Sequence, residues 1–296
     1  MKKLTAKETA SITRELKNKT VLITGGAGSV GAVLTKHILD YPVKSVRVLD
    51  IDEHALFVLK RKLKDKRLRL LLGNILDKER IEMAFKKADV IIHAAAIKNI
   101  EISEFNPIET IDVNINGTVN LIKAAIRSNP KKFINVSTDK AANSSTLYGA
   151  TKQLCEKVTS WAGKHIEETK FASVRFGNVM ETRGNVFEVW EEEAKNGNPL
   201  SITDPNMTRY FFHIDEAADF VLRCIPLANE GEVFVPEMES FSIKDLADKI
   251  SKKHRVIGLR PGEKLSEILI SDEEKKKAKK IDGMWIIYPD NYDLKV

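Results

Sequence analysis

The stretch Thr20-Val21-Leu22-Ile23-Thr24-Gly25-Gly26-Ala27-Gly28-Ser29-Val30-Gly31 decides the fold. A β-branched run enters a turn with glycine at 25, 28 and 31, and an apolar pattern of helical period follows. Glycine at these places permits a tight turn, close approach of backbone N–H groups to a pyrophosphate, and close packing of helix on strand. The anion then lies at a helix N-terminus, where unpaired N–H groups and the helix dipole favour negative charge. Gly25, Gly28, Ser29, Val30 and Gly31 are therefore the expected phosphate-binding turn.

Outward from that turn, short β-branched runs alternate with amphipathic helical patterns. Strands are expected at 20–24, 45–50, 68–73, 90–93, 133–137 and 171–175, and helices near 30–39, 54–64, 79–86, 108–128 and 148–164. Strict alternation implies an α/β fold with a parallel, doubly wound sheet and right-handed crossovers. The expected organisation is a polar helical extension at 1–18, a dinucleotide-binding Rossmann domain at 19–175, and a smaller substrate-binding lobe at 176–296. Within that lobe the helical pattern 214–228 is expected to return to the Rossmann domain.

The cofactor is read from the strand ends. Asp50 closes the second strand, about twenty residues past the glycine turn, where a carboxylate accepts hydrogen bonds from the adenosine ribose and repels a 2′-phosphate. NAD is thus expected in preference to NADP. Asp52 is an alternative acceptor, and Arg47 lies at the wrong end of its strand to receive a phosphate. After the third strand come Asn74 and Ile75; Asn74 either meets adenine or is an ordinary turn residue. Ala94, Ala95 and Ala96 after the fourth strand give a floor of small residues on which a dinucleotide can lie.

Composition narrows the class of protein. The 296 residues carry a formal charge of +6, which suits an acidic small molecule and equally suits nucleic acid or no anion at all. Basic runs such as Lys60-Arg61-Lys62 and Lys275-Lys276-Lys277 read as solvated helix faces, so neither nucleic acid nor membrane is an expected partner. No apolar run approaches the length of a membrane span, and the first residues lack the apolar core of a signal peptide. Two cysteines, Cys155 and Cys224, read as packing residues in a reducing cytoplasm. No metal site is expected.

The chemistry is read from Ser137-Thr138-Asp139-Lys140 and Tyr148-Gly149-Ala150-Thr151-Lys152. Tyr and Lys four residues apart share one helix face. A nearby ammonium and a pyridinium ring both favour phenolate, so Tyr148 beside Lys152 is expected to take a hydroxyl proton as hydride leaves the same carbon. Thr138 can hydrogen-bond that hydroxyl, and Asn114 holds the adjoining helix or a proton relay. Asp139 and Lys140 add an acid and a base that simple hydride transfer does not need. Together they point to oxidation, elimination and a second reduction.

With these motifs the chain resembles the extended short-chain dehydrogenase/reductase family, and within it the polysaccharide-biosynthesis branch acting on UDP-N-acetylglucosamine. The likeness runs from Lys19 to about Pro289 through His93-Ala94-Ala95-Ala96-Ile97-Lys98, Asn106-Pro107, Asn114-Ile115-Asn116-Gly117-Thr118 and Ser137-Thr138-Asp139-Lys140-Ala141. It continues through Arg175-Phe176-Gly177-Asn178-Val179, Met207-Thr208-Arg209-Tyr210-Phe211 and Arg260-Pro261-Gly262-Glu263-Lys264. Tyr148, where membrane-anchored retaining relatives carry Met, implies the inverting 4,6-dehydratase that epimerises carbon 5, a lyase with tightly bound NAD(P). The resemblance implies Asp139 as acid for the departing hydroxyl and Lys140 as base at carbon 5. It also carries over Asn178 as a diphosphate or sugar contact, with Arg209 and Arg260 as diphosphate ligands and Glu263 orienting Arg260 or holding a ribose hydroxyl. Lys98 serves either cofactor or substrate.

The implied partner is a UDP-sugar, and the branch implies a homo-oligomer. The sequence departs from the branch at Glu181-Thr182-Arg183-Gly184-Asn185, expected near the nucleotide, at Asn143-Ser144-Ser145-Thr146, and at Ser266. Two other readings stand beside this one. A UDP-sugar 4-epimerase needs Tyr148 and Lys152 but has no use for Asp139 and Lys140. A non-catalytic nucleotide-binding regulator would usually have lost the Tyr–Lys pair.

Overall fold

The computed structural model describes residues 3–290. The first part of the chain alternates as α1 (Ala6–Leu16), β1 (Thr20–Thr24), α2 (Ser29–Leu39), β2 (Ser45–Asp50), α3 (Glu53–Leu63), β3 (Leu68–Leu72), α4 (Lys78–Phe85) and β4 (Val90–His93). Then follow α5 (Ile100–Phe105), α6 (Pro107–Ile111), a π-helical turn (Asp112–Asn116), α7 (Gly117–Ser128), β5 (Lys132–Val136), α8 (Leu147–His165) and β6 (Lys170–Val174). These six strands lie parallel in the order β3-β2-β1-β4-β5-β6. The order reverses between β1 and β4, which opens a crevice at their carboxyl ends. Every residue of β1 is buried, as helices cover both faces of a parallel sheet, whereas edge strand β3 buries only Leu68.

One expected helix is broken. The pattern 108–128 forms α6 and α7 with the π turn between them. The amide of Asn114 is drawn out of the helix to close on the Ile97 backbone, accepting from its N–H at 2.8 Å and donating to its C=O at 2.9 Å. An extra residue in the turn accommodates this, as π turns do at functional positions.

The remaining elements are β7 (Asn178–Val179), α9 (Val186–Lys195), β8 (Leu200–Ile202), β9 (Thr208–Phe212), α10 (Ile214–Cys224), β10 (Glu232–Pro236) and β11 (Ser240–Ser242). They are completed by α11 (Ile243–Asp248), β12 (His254–Val256), α12 (Asp272–Lys275), β13 (Ala278–Ile281) and β14 (Met284–Ile287). More of this half belongs to the sheet than 214–228. Helix α10 packs on α2, β10 adds parallel to β6, and β14 and β13 extend the sheet antiparallel. The lobe therefore consists of excursions at 178–212 and 240–256, closed on Trp190, Leu200, Ile202, Met207, Phe211, Ile243 and Leu246.

Helix α1 is a layer added to this frame. Thr5 and Glu8 form a reciprocal cap at its start, Ile12 and Leu16 are fully buried, and Glu8 reaches Arg223 of α10 at 2.7 Å. Among the described residues no helix is long and apolar enough to cross a membrane.

Candidate active site

The crevice between β1 and β4 carries the glycine turn. Gly25 has φ +66°, and a Cβ there would lie 2.6 Å from Ala95 Cα. At Gly31 a Cβ would stand 2.2 Å from the Gly25 carbonyl oxygen. Neither position admits another residue, whereas Gly28 is the N-cap of α2 and no side chain caps the N–H groups of its first turn. An anion-binding terminus next to a floor of Ala94, Ala95 and Ala96 fits a dinucleotide diphosphate.

Asp50 is set into this turn. Its Oδ2 accepts the Ala27 N–H at 3.0 Å and its Oδ1 the Asp52 N–H at 3.1 Å. Asp52 caps α3 through the Ala55 N–H, and Arg47 donates to the carbonyls of Ala84 and Lys86 at the end of α4. The Asn74 Oδ1 accepts the Leu76 N–H at 2.9 Å, as a turn residue does. Ile75 is buried in the core beside α7, where a Cβ on Gly117 would meet it at 2.5 Å.

The groups expected to react gather where β5 meets α8. Thr146 caps α8, accepting the Gly149 N–H at 3.1 Å, and Gly149 lies so close to the Lys140 carbonyl that a Cβ would be 2.6 Å away. This contact seats the first turn of α8, with Tyr148, on the segment bearing Asp139 and Lys140. The Thr138 hydroxyl lies between the Tyr148 phenol and Asp139, donating to Asp139 Oδ1 at 3.0 Å. Lys140 Nζ reaches the same oxygen at 3.0 Å and Asn178 Oδ1 at 3.5 Å, and Asn178 donates to the Tyr210 carbonyl. Asp139 is 1% exposed, and its Oδ2, like Ser137 Oγ, has no hydrogen-bond partner among the described residues. Carboxylate and ammonium thus face inward beside the phenol.

Burial pushes the Tyr148 phenol above its ordinary value; the Thr138 hydrogen bond opposes this and Asp139 adds to it. In the protein alone Lys152 does not figure among the groups that shift this phenol, and a phenolate loses more by leaving water than the Thr138 hydrogen bond returns. The Lys152 ammonium, also buried, is pushed down by desolvation against the opposing fields of Cys155 and Glu156.

Beneath the Tyr–Lys pair runs a buried polar chain. Thr118 donates its hydroxyl proton to the Asn114 carbonyl at 2.5 Å, so it accepts at 2.9 Å from His93 Nε2–H, and Nδ1 accepts from Thr24 at 2.8 Å. Burial and the charge of Lys152 lower the His93 pKa to about 3, which keeps this ring neutral. The Asn114 carbonyl also receives the Cys155 thiol at 3.0 Å, and Asn114 Nδ2 donates to Thr151. One turn beyond Lys152, Glu156 pairs with buried Arg175 at 2.6 Å, and Arg175 pairs with Glu274 of α12 at 2.6 Å. The helix bearing Tyr148 and Lys152 is thereby tied to the C-terminal part of the chain.

The expected substrate residues divide. Arg209 is buried and committed, donating to the carbonyls of Thr208 and Leu265 and pairing with Glu263 at 3.3 Å. Glu263 orients Arg209 rather than the side chain of Arg260; it takes only the Arg260 backbone N–H, at 3.1 Å. Arg260 is exposed and lines a cavity of about 310 Å³ with Glu101, Glu104 and Phe105. Lys98 reaches the Arg183 carbonyl at 3.5 Å.

Several contributing residues carry no signal that spacing alone reveals. The Ser145 hydroxyl donates to the Gly262 carbonyl at 2.6 Å and Lys264 to that of Asn143, so loop 258–264 rests on the segment leading into Tyr148. Gly262, at φ +75°, permits this approach. Ser137 stands beside Thr138 in the quoted motif and is recognisable there only as its neighbour. Among the described residues no group of three or more His, Cys, Asp or Glu side chains could hold a metal ion.

Comparison with known proteins adds to this geometry. Residues 21–289 match the family described as polysaccharide biosynthesis protein. The chain is 37% identical over 279 residues to a Campylobacter jejuni protein named UDP-N-acetylglucosamine 4,6-dehydratase (inverting), covering 92% of this chain and 83% of that one. It is 34% identical over 289 residues to a Rickettsia akari protein named UDP-glucose 4-epimerase, covering 94% and 85%. The X-ray structure of Pen from Bacillus thuringiensis is similar at 35% identity and a TM-score of 0.88, covering 92% of this chain and 89% of that one.

Proposed function

The chain belongs to the polysaccharide biosynthesis protein family, and from that premise we propose that it is an NAD-dependent UDP-N-acetylglucosamine 4,6-dehydratase that inverts carbon 5. The observation that carries this reading is the inward-facing Asp139–Lys140 pair, linked through the Thr138 hydroxyl to Tyr148. Bound NAD would take hydride from carbon 4 of the sugar and later return it to carbon 6. NAD is favoured over NADP because the Asp50 carboxylate, fixed by two backbone N–H groups, would repel a 2′-phosphate.

The protein's own groups then have distinct work. Tyr148 accepts the carbon 4 hydroxyl proton while Thr138 orients that hydroxyl. Its raised pKa makes a compensating positive charge necessary, and a pyridinium ring supplies one. The ketone at carbon 4 acidifies the proton on carbon 5. A proton passing from the Lys140 ammonium to Asp139, 3.0 Å away, leaves an amine that removes the carbon 5 proton and a carboxylic acid that protonates the carbon 6 hydroxyl as it departs as water. As hydride returns to carbon 6, a solvent-derived proton added to the opposite face of carbon 5 gives the inverted 4-keto-6-deoxy sugar nucleotide, a building unit for surface glycans. His93, held neutral by burial and the charge of Lys152, joins Thr118 and Asn114 in one hydrogen-bonded chain.

The test is incubation of the purified protein with UDP-N-acetylglucosamine in deuterated water without added reductant. The expected product is lighter by one water and carries deuterium at carbon 5. Recovery of a sugar of unchanged mass, altered only at carbon 4, would establish the second reading, a 4-epimerase, which the name of the Rickettsia akari relative favours.

A further inference from the structure

Arg175 follows the last residue of β6 and is buried. A guanidinium has five N–H donors, and here all five are used. Nε and Nη2 meet the two oxygens of Glu156 at 3.0 and 2.6 Å, as parallel bonds of a fork. Nη2 and Nη1 meet Glu274 at 2.6 and 2.9 Å, and Nη1 also donates to the Leu269 carbonyl at 2.9 Å. Glu274 is held in turn by the Ser271 N–H at 2.8 Å and the Ser271 hydroxyl at 3.0 Å, which begin α12. Two carboxylates thus share one guanidinium, and the cluster keeps one surplus negative charge in a largely dry place. Such a charge is costly unless a cation faces it. Lys152, itself buried, lies one turn back along α8 from Glu156, so the two side chains share a face of the helix.

The other groups around the ammonium give it no counter-charge. On α8, burial pushes the Tyr148 phenol and the Cys155 thiol up, and the thiol donates to the Asn114 carbonyl. From β4 comes His93, held neutral, and from the π turn and α7 come the uncharged Asn114 and Thr118. Glu104 of α5 accepts the Leu147 N–H, and Asp139 is taken by Thr138 and Lys140. Burial pushes the Lys152 ammonium down against Cys155 and Glu156, and with the thiol protonated that opposition falls to Glu156. We propose that Glu156, Arg175 and Glu274 form a positioning device for the Lys152 ammonium, in which Glu274 supplies the second carboxylate that leaves Glu156 a charge to act on the lysine. With Glu156 alone, the guanidinium would cancel that charge. The device rests on the reading of Tyr148 and Lys152 as the redox pair, and it concerns what keeps the lysine charged rather than which sugar enters. An ammonium one turn from the phenol lowers the cost of the phenolate that hydride transfer needs.

The experiment follows the Lys152 Cε resonance through a pH titration of protein carrying isotope-labelled lysine, the signal being assigned by its absence in Lys152→Met. The rate of NADH appearance in a single turnover with NAD and UDP-N-acetylglucosamine is measured over the same pH range. Glu274→Gln and Glu156→Gln remove a charge but keep an oxygen and the side-chain volume, and each should move the Lys152 midpoint to lower pH. NADH appearance should then fall by about tenfold at alkaline pH and by less than about twofold at acidic pH, where the ammonium persists in every variant. Glu274→Asp, which restores the charge, should return the alkaline rate. An unmoved Lys152 midpoint in Glu274→Gln overturns the proposal, and so does a rate loss equal at every pH, the mark of a merely structural tie. Should Glu156→Gln fail to fold, Glu274→Gln, at the less buried end of the cluster, decides alone. If the unaltered protein forms no NADH from the sugar, the dehydratase reading fails, while the Lys152 titration still decides the positioning.

Discussion

Consider the pair Asp139–Lys140 as a pair of charges, before any sugar is present. At 3.0 Å and an effective dielectric of about 20, unit charges attract by about 5.5 kcal/mol. The side chains are 0% and 13% exposed, so desolvation takes back more than half, leaving a coupling of about 2 kcal/mol. Removing only the ammonium strands a buried carboxylate whose second oxygen already lacks a partner among the described residues. Lys140→Met should therefore destabilise by about 3 kcal/mol. With an unfolding entropy of about 2.1 cal/mol/K per residue over this chain, that is a fall in Tm of about 5 °C. Lys140→Met combined with Asp139→Asn should be about 2 kcal/mol more stable than the sum of the single effects. The assay is thermal and urea denaturation of the four proteins, run beside deuterium incorporation at carbon 5, which Lys140→Met should abolish. Strictly additive single effects would refute the pairing. Normal carbon 5 exchange in Lys140→Met would refute lysine as the base.

Three further predictions concern the frame. His37 lies between Asp215 and Asp219, at 2.9 Å from each, and these bonds, led by that to Asp219, raise its pKa against burial. A raised folded pKa gives stability that is complete below the unfolded value of about 6.5 and is lost as pH climbs through the folded value. His37→Gln should therefore lower the urea midpoint more at acidic than at alkaline pH, and a pH-independent difference would contradict the charge pairing. At Gly31, alanine places a methyl group 2.2 Å from the Gly25 carbonyl oxygen and should abolish NADH binding with a loss of several kcal/mol, about 3. Gly197→Ala, with nothing within 4 Å of the new methyl but φ +72°, should cost only about 1 kcal/mol. Retained NADH binding in Gly31→Ala would be the contrary result.

Much of the fold is legible because local chemistry and global topology agree. β1, β2 and β4 run over the residues their apolar runs imply, since strands buried on both faces leave continuous hydrophobic segments. The glycine turn is legible because a Cβ at 25 or 31 would strike backbone, a constraint that no neighbouring side chain can relax. The return of β10, β13 and β14 to the sheet was not legible. These are short runs far along the chain, and only their pairing partners distinguish them from strands of the lobe. The π turn was hidden for a similar reason: it exists because Asn114 closes on Ile97, seventeen residues away.

The site divides along the same line. Sequence alone determined which groups are present: a phosphate-binding turn, a carboxylate at the end of β2, a Tyr and a Lys one helical turn apart, and an adjacent acid and base. Those are properties of spacing within single elements. Only the tertiary structure decided what each group faces. It committed Arg209 to Glu263, left Arg260 exposed at a cavity that Glu101 and Glu104 also line, and set the Arg183 N–H on Ser29. The reason is that a side chain's partner is set by loops whose ends are fixed by elements distant in sequence, and no period or motif along the chain encodes that meeting.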